Sequence, residues 1–237
     1  MWKTGRCNLD LDSRYIEIEK NVKAVRARIE SASQKVNRSS ADVTLIAVTK
    51  TYPVSDAMIL SQLGISNFGE NRSSEGAAKA AEIQGTWHFQ GQIQSNKIKQ
   101  VLTWANSIHS VDDLRHISLI KKALPDDKNI SIFLQVALDG QLHRGGVSEE
   151  ILPLLAEEVL SSDGLMLEGL MAVAPLDQDP HRAFSELARI HSVFSQQFPM
   201  ATNLSAGMSN DFEVAIEYGA THLRIGSSIL GVRTSPL

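Results

Sequence analysis

Val43-Thr-Leu-Ile-Ala-Val-Thr49, followed at once by Lys50-Thr-Tyr-Pro53, is the stretch that decides the fold. It is short, apolar and β-branched, as suits a buried strand, and Pro53 lacks the N–H that a continuing ladder would need. Similar runs recur downstream at 65–69, 86–91, 107–111, 130–138, 165–173, 203–206 and 221–226. Between them lie segments with helical character near 54–63, 72–84, 95–105, 112–123, 148–160, 180–198 and 210–218, each long enough to be a crossover. Strand alternating with helix predicts a parallel sheet, and eight such units predict a closed (β/α)8 TIM barrel, with a doubly wound open sheet as the alternative. Upstream, residues 13–35 lack Gly and Pro and carry Ile16, Val22, Val25 and Ile29 among charged residues, which predicts an amphipathic helix.

The chain's 237 residues suit one α/β barrel, which commonly runs to about 200–250 residues. Residues 1–237 are therefore expected to form a single barrel domain, with 1–40 as an N-terminal helical extension. Hydrophobic residues at 43% and charged residues at 21% exclude a disordered or collagen-like chain. With 23 basic and 27 acidic residues the net charge is −4, and no basic cluster stands out, so nucleic acid is not an expected partner. Cys7 is the one cysteine and has no internal disulfide partner, which fits a reducing compartment. Neither a secretory leader nor a membrane span is legible, so the expected location is the cytoplasm and no membrane is expected as a partner. No close pair of histidines offers ligand spacing, and no metal site is expected.

Chemistry in a barrel sits at the C-terminal ends of the strands. Alternation puts Thr44, Ile46, Val48 and Lys50 on one face, so Lys50 stands either at the barrel mouth or at the surface where a strand ends. A desolvated lysine at the mouth is a competent amine nucleophile towards an aldehyde. In 86–91, Trp87 and Phe89 suit the helix-facing side, which turns His88 and Gln90 inward, His88 towards a ligand or into a hydrogen-bonded core. In 221–226, His222, Arg224 and Gly226 share the inward face, and Arg224 needs an acceptor, from a ligand or from a structural carboxylate. Barrels often hold phosphate between the loops after strands 7 and 8. Here those loops are Ser205-Ala-Gly207-Met-Ser209 and Gly226-Ser227-Ser228, which read as a phosphate cup or as helix caps. The stretch 140–146 reads as a surface loop that could carry Arg144 over the mouth.

Ala47-Val-Thr-Lys-Thr51, Phe68-Gly-Glu-Asn71, Trp87-His-Phe-Gln-Gly91 with Gln94-Ser-Asn-Lys97, Gly169-Leu-Met171, Leu204-Ser-Ala-Gly-Met-Ser209 and Arg224-Ile-Gly226 occur in order. That ordered set resembles the pyridoxal phosphate homeostasis protein family, whose barrel is alanine-racemase-like and binds pyridoxal 5′-phosphate (PLP). The resemblance implies a fold type III PLP-binding barrel in which Lys50 forms the internal aldimine. It further implies that Asn71 and His88 contact the ring or its substituents and that Met171 lines the pocket. Ser205, Ser209, Gly226 and Ser227 would cradle the phosphate, and Arg224 would face the pyridine nitrogen. A guanidinium there keeps that nitrogen unprotonated and weakens the ring as an electron sink. The chain departs from the family pattern at Arg72, Ala137, the 143–146 loop and Ala206.

Two functions follow from the resemblance. One is a carrier that buffers or delivers PLP, with PLP-dependent apoenzymes as partners and no catalytic residues of its own. The other is an amino-acid racemase, which would continue into a β-domain supplying a second acid/base, whereas residues 231–237 alone follow the last barrel element. The carrier is the expectation. A cofactor-free aldolase using Lys50 explains neither Arg224 nor the ordered motifs.

Overall fold

In a computed structural model the described residues are 5–139 and 145–231, with side chains described from residue 12. Eight parallel strands close in sequence order into a barrel. They are β1 Thr44–Val48, β2 Asn67–Glu70, β3 Thr86–Phe89, β4 Ser107–Val111, β5 Ile130–Gln135, β6 Leu165–Met171, β7 Asn203–Ser205 and β8 His222–Ile225. The crossovers are α2 Val54–Gln62, α3 Ser73–Glu82, α4 Ile98–Trp104, α5 Leu114–Ala123, α6 Leu152–Leu160, α7 Pro180–Gln197 and α8 Phe212–Glu217, and α9 Ser227–Leu230 follows β8. The open-sheet alternative is excluded because β8 pairs with β1, Thr44 to Ala47 against His222 to Ile225.

Alternation along each strand sorts the side chains into two layers. Outward residues such as Phe68, Trp87 and Phe89 pack with Trp104 under the helices, with Phe68 stacked on Trp87 at 4.9 Å and Trp104 edge-on to Trp87 at 6.3 Å. Phe68 is fully buried, and a side chain of that size contributes about 1.5–3 kcal/mol on burial. Register places His222 and Arg224 opposite Thr44 and Ile46, and His88 opposite Gly69 and Ser107. The inward face of His88, His222 and Arg224 agrees with the alternation of the sequence.

The first helix, α1 Gly5–Lys35, buries Ile18, Val22, Val25, Ile29 and Ala32. This corrects one expected position, since Ile16 is 63% exposed and Ile18 takes its place. The spacing 18, 22, 25, 29, 32 keeps one stripe of a helix in line, whereas position 16 lies about 200° from position 18. The buried stripe packs on the barrel's outer helices, and the polar edges fasten it there. Arg14 binds Asp56 at 2.6 Å and Leu230 O at 2.9 Å, Asn21 Nδ2 donates to Ile229 O, and Arg28 pairs with Glu213 at 2.6 Å. Thus α1 braces α8 and α9, the helices that follow the two serine loops. No helix among the described residues is long and apolar enough to cross a membrane.

Candidate functional site

The strand ends converge at one mouth. Lys50 lies two residues past the end of β1 and is exposed. Val48 is in register with Gly69, so Lys50 and Asn71, each two residues further on, leave the barrel at the same level, and Asn71 is also exposed. On the other side of β1, a Cβ on Gly226 would stand 3.2 Å from Val48 O, so the end of β8 abuts the chain that leads into Lys50. Met171 is buried at the end of β6, in register with Ser205 and Gln135.

The two serine loops are joined to each other. Ser228 N–H donates to Ser209 Oγ at 3.1 Å, and Ser228 Oγ donates to Ser209 O at 3.2 Å. Gly207 bends the first loop with φ +87°, a left-handed conformation that glycine adopts without steric cost. Asp211, not Ser209, takes the N-cap position of α8, and its carboxylate accepts Met208 N–H at 2.6 Å. Gly226 is the N-cap of α9, and Ser227 its first residue. Neither Ser209 nor Ser227 is therefore the N-cap residue of the helix that follows it, and Ser209 Oγ instead takes up a free N–H in the first turn of α9 from the neighbouring loop.

Inside the barrel a hydrogen-bond chain runs from wall to wall. Arg224 Nη1 donates to Ser205 Oγ at 2.8 Å, and Ser205 Oγ lies 2.8 Å from His109 Nδ1. His109 Nε2 is 2.9 Å from His88 Nδ1, whose Nε2 is 3.0 Å from Asn67 Oδ1. Asn67 Oδ1 only accepts, so His88 Nε2 carries its proton; a neutral His88 then accepts at Nδ1 from His109, and His109 accepts at Nδ1 from Ser205. Every bond points the same way, from Arg224 to Asn67. Burial holds both rings neutral, pushing His88 down to about 3 and His109 well below its ordinary value, with neighbouring positive charge adding to the effect. His222 falls to about 4 by burial, and Phe133 stacks on His109 at 4.3 Å.

Arg224 is 5% exposed and donates also to Ala172 O at 2.8 Å, yet it forms no salt bridge among the described residues. Burial lowers its pKa to about 10, which leaves it charged at neutral pH. Of the acceptors allowed for by the sequence, a contacting carboxylate is not the one found. Gln90 Nε2, inward at the end of β3 beside Gly69, is buried with no hydrogen-bond partner among the described residues. The site thus presents a buried cation that only the more distant Asp211 carboxylate offsets, with guanidinium N–H groups left over, and an amide donor without an acceptor among the described residues.

These positions divide the expected residues. Lys50, Asn71, Gly226, Ser227 and Ser209 belong to the mouth and its loops. Ser205 and His88 lie deeper, with the Ser205 hydroxyl and both His88 nitrogens engaged in the chain that supports Arg224. Sequence reasoning missed His109, and with it the buried pair Glu70 and Lys79 at the foot of Lys50, with the partly exposed Glu75 beside them. A polar residue at alternate positions of the 107–111 run was the available sign for His109. Residues 140–144, and so Arg144, lie outside the described residues, as does the side chain of Cys7.

The chain matches the family model described as alanine racemase, N-terminal domain, over residues 21–234. A Mycobacterium tuberculosis protein named pyridoxal phosphate homeostasis protein is 35% identical over 93% of this chain and 94% of its own length. A Pseudomonas aeruginosa protein of the same name is 36% identical over 91% and 96%. Among solved structures, PipY of Synechococcus elongatus with PLP bound is 27% identical, with a TM-score of 0.77, covering 90% of this chain and 100% of PipY. Alanine racemase from Corynebacterium glutamicum shares the fold, at 15% identity and a TM-score of 0.67, over 89% of this chain and 61% of that enzyme.

Proposed function

This chain belongs to the pyridoxal phosphate homeostasis protein family, and from that premise we propose that it binds PLP at the barrel mouth, covalently through Lys50, and buffers or delivers the cofactor in the cytoplasm without turning over a substrate. The observation that carries the proposal is Arg224, a buried guanidinium with no carboxylate hydrogen-bonded to it among the described residues, on the strand paired with the one that leads to Lys50. A buried charge is costly unless something offsets it, and an acceptor on a bound ligand does so. Ser205 and Ala172 occupy two of the guanidinium's five N–H donors, which leaves donors for a ring nitrogen.

The residues present fit the cofactor. When bound, PLP supplies an aldehyde carbon open to amine attack and a conjugated ring that accepts electrons. Lys50 brings the amine from an exposed position at the rim. Ser209, Gly226 and Ser227 would offer hydroxyls and close backbone approach to the phosphate, and Asn71 at the rim and Met171 at the end of β6 would hold the ring. Gln90 would add an amide donor that has no partner among the described residues. His88 and Ser205 act one step back, by fixing the direction in which Arg224 donates.

The test is the visible absorbance of the purified protein titrated with PLP, followed by borohydride reduction and peptide mapping. A reduced adduct on Lys50, with alanine left unracemised, is the expected result. No band and no adduct would overturn the binding proposal, and robust Lys50-dependent racemisation would replace the carrier with an enzyme.

A further inference from the structure

Lys50 is exposed at the rim, yet the backbone on both sides of it is tied to a buried cluster of charged residues. Before it, Thr49 Oγ1 donates to Glu70 Oε1 at 2.6 Å, and Thr49 O accepts from Lys79 Nζ at 2.6 Å. After it, Thr51 N–H donates to Glu75 Oε2 at 2.6 Å. Lys79 Nζ joins the two halves, bonded to Glu70 Oε1 and 3.8 Å from Glu75 Oε2. Lys79 and Glu70 are 3% and 0% exposed, so this pair stands where charges are held only by good partners. At the second anchor Thr51 takes φ +72°, a conformation in which a β-branched residue is strained and which the surroundings must impose.

We propose that Glu70, Lys79 and Glu75 are positioning residues for Lys50: they clamp the peptide groups on either side of it and so aim its amine across the barrel mouth. The proposal rests on the PLP function above and deepens it. Glu70 closes β2, while Glu75 and Lys79 stand on neighbouring turns of α3, so the clamp ties the end of β1 to the element that follows it around the barrel. None of the three is placed in contact with the ligand. Their effect is on direction, and misplacing a reacting group by about 1 Å costs up to about a hundredfold in rate.

Glu75 gives the cleanest test, being partly exposed. Glu75→Ala removes the acceptor of the Thr51 N–H, whereas Glu75→Gln keeps an oxygen there. In ligand-free protein, Glu75→Ala should speed Thr51 amide exchange at least about tenfold, and Glu75→Gln should stay near the native rate. With PLP as the probe, the rate of adduct formation on Lys50 should fall about tenfold in Glu75→Ala and recover in Glu75→Gln. Acetylation of Lys50 by acetic anhydride, which needs an accessible amine but no aim, should stay within about twofold in all three proteins. The doubly neutral Glu70→Gln/Lys79→Met protein, which leaves no lone buried charge, should show the slow PLP reaction as well. Equal PLP rates in native protein and Glu75→Ala, or a fall in acetylation in step with the PLP rate, would overturn the clamp. Absence of any adduct in the native protein would instead overturn PLP binding, and the Thr51 exchange contrast would still decide whether the clamp exists.

Discussion

Replacing His109 by Phe tests the interior chain, because it keeps a flat ring against Phe133 and removes both hydrogen-bonding nitrogens. At pH 7 it leaves His88 Nδ1 without a donor and the Ser205 hydroxyl without an acceptor. Each buried group so orphaned costs about 1–3 kcal/mol, so a loss of about 2–6 kcal/mol is expected. The pH dependence should move the other way. The folded pKa of His109 lies well below 6.5, so the unfolded state binds the extra proton as pH falls through 6.5, and stability falls with it. Integrated from pH 7 to pH 5, that is about 2 kcal/mol for one histidine that titrates near 6.5 when unfolded and stays neutral when folded. The same sign applies to His88, His222 and His191. Burial raises Glu70 and Asp211, which offset part of the loss, and they do so equally in native and variant protein. Urea unfolding at pH 7 and pH 5 should therefore show His109→Phe less stable at pH 7, yet losing about 2 kcal/mol less than native protein on acidification. Equal losses in the two proteins would refute a neutral buried His109, and no cost at pH 7 would refute the directed chain.

Arg224→Met removes the buried cation without emptying its volume; ligand-free stability should change by less than about 2 kcal/mol while PLP release, followed by dialysis and absorbance, speeds at least about tenfold. Gly207→Ala places a Cβ 2.7 Å from Ala215 Cβ on a backbone at φ +87°, and chemical denaturation should show a loss of about 1–3 kcal/mol. Lys50→Ala should abolish the borohydride-stable adduct and, because the side chain is exposed, leave the unfolding free energy within about 0.5 kcal/mol of native protein.

The eight strands were legible because a parallel barrel buries both faces of its sheet, so each strand reads as a compact apolar run between helices. Their ends were less so: the runs at 130–138 and 165–173 stop pairing within the barrel at Gln135 and Met171, although the sequence stays apolar. The inward face of His88, His222 and Arg224 followed from period-two alternation, which the register fixes once one strand is placed. The partners of those residues did not follow. Nothing in the 73–82 segment marks Lys79 as buried, since a lysine among alanines reads as a solvated helix face. Its place is set by the carboxylate of Glu70 on another element. His109 escaped for the same reason: the bonds that define its role reach across the barrel to Ser205 and His88, and spacing along the chain carries no trace of them.

On the carrier function proposed above, the aldehyde has to be held and yet let go, and the two demands would fall on different parts of this barrel. Holding needs donors that do not reorganise when the ligand arrives, since fixed dipoles keep their full effect in a dry site. Arg224 meets that need, fixed by Ser205 and Ala172 O and backed by two neutral histidines that end on Asn67. Release would need the carbon bonded to the lysine nitrogen to be open to water or a second amine, with the lysine amine as the leaving group, and Lys50 sits exposed at the rim with the hydrogen bonds on its neighbours' backbone rather than on its side chain. Burying Lys50 would strengthen retention by excluding the competing nucleophile, and would also remove the route by which a second amine takes the cofactor away. On these grounds transfer to an added amine should be fast in native protein and first order in that amine. A rate of cofactor loss independent of the added amine would mean that opening of the barrel mouth, and not attack at the rim, controls delivery.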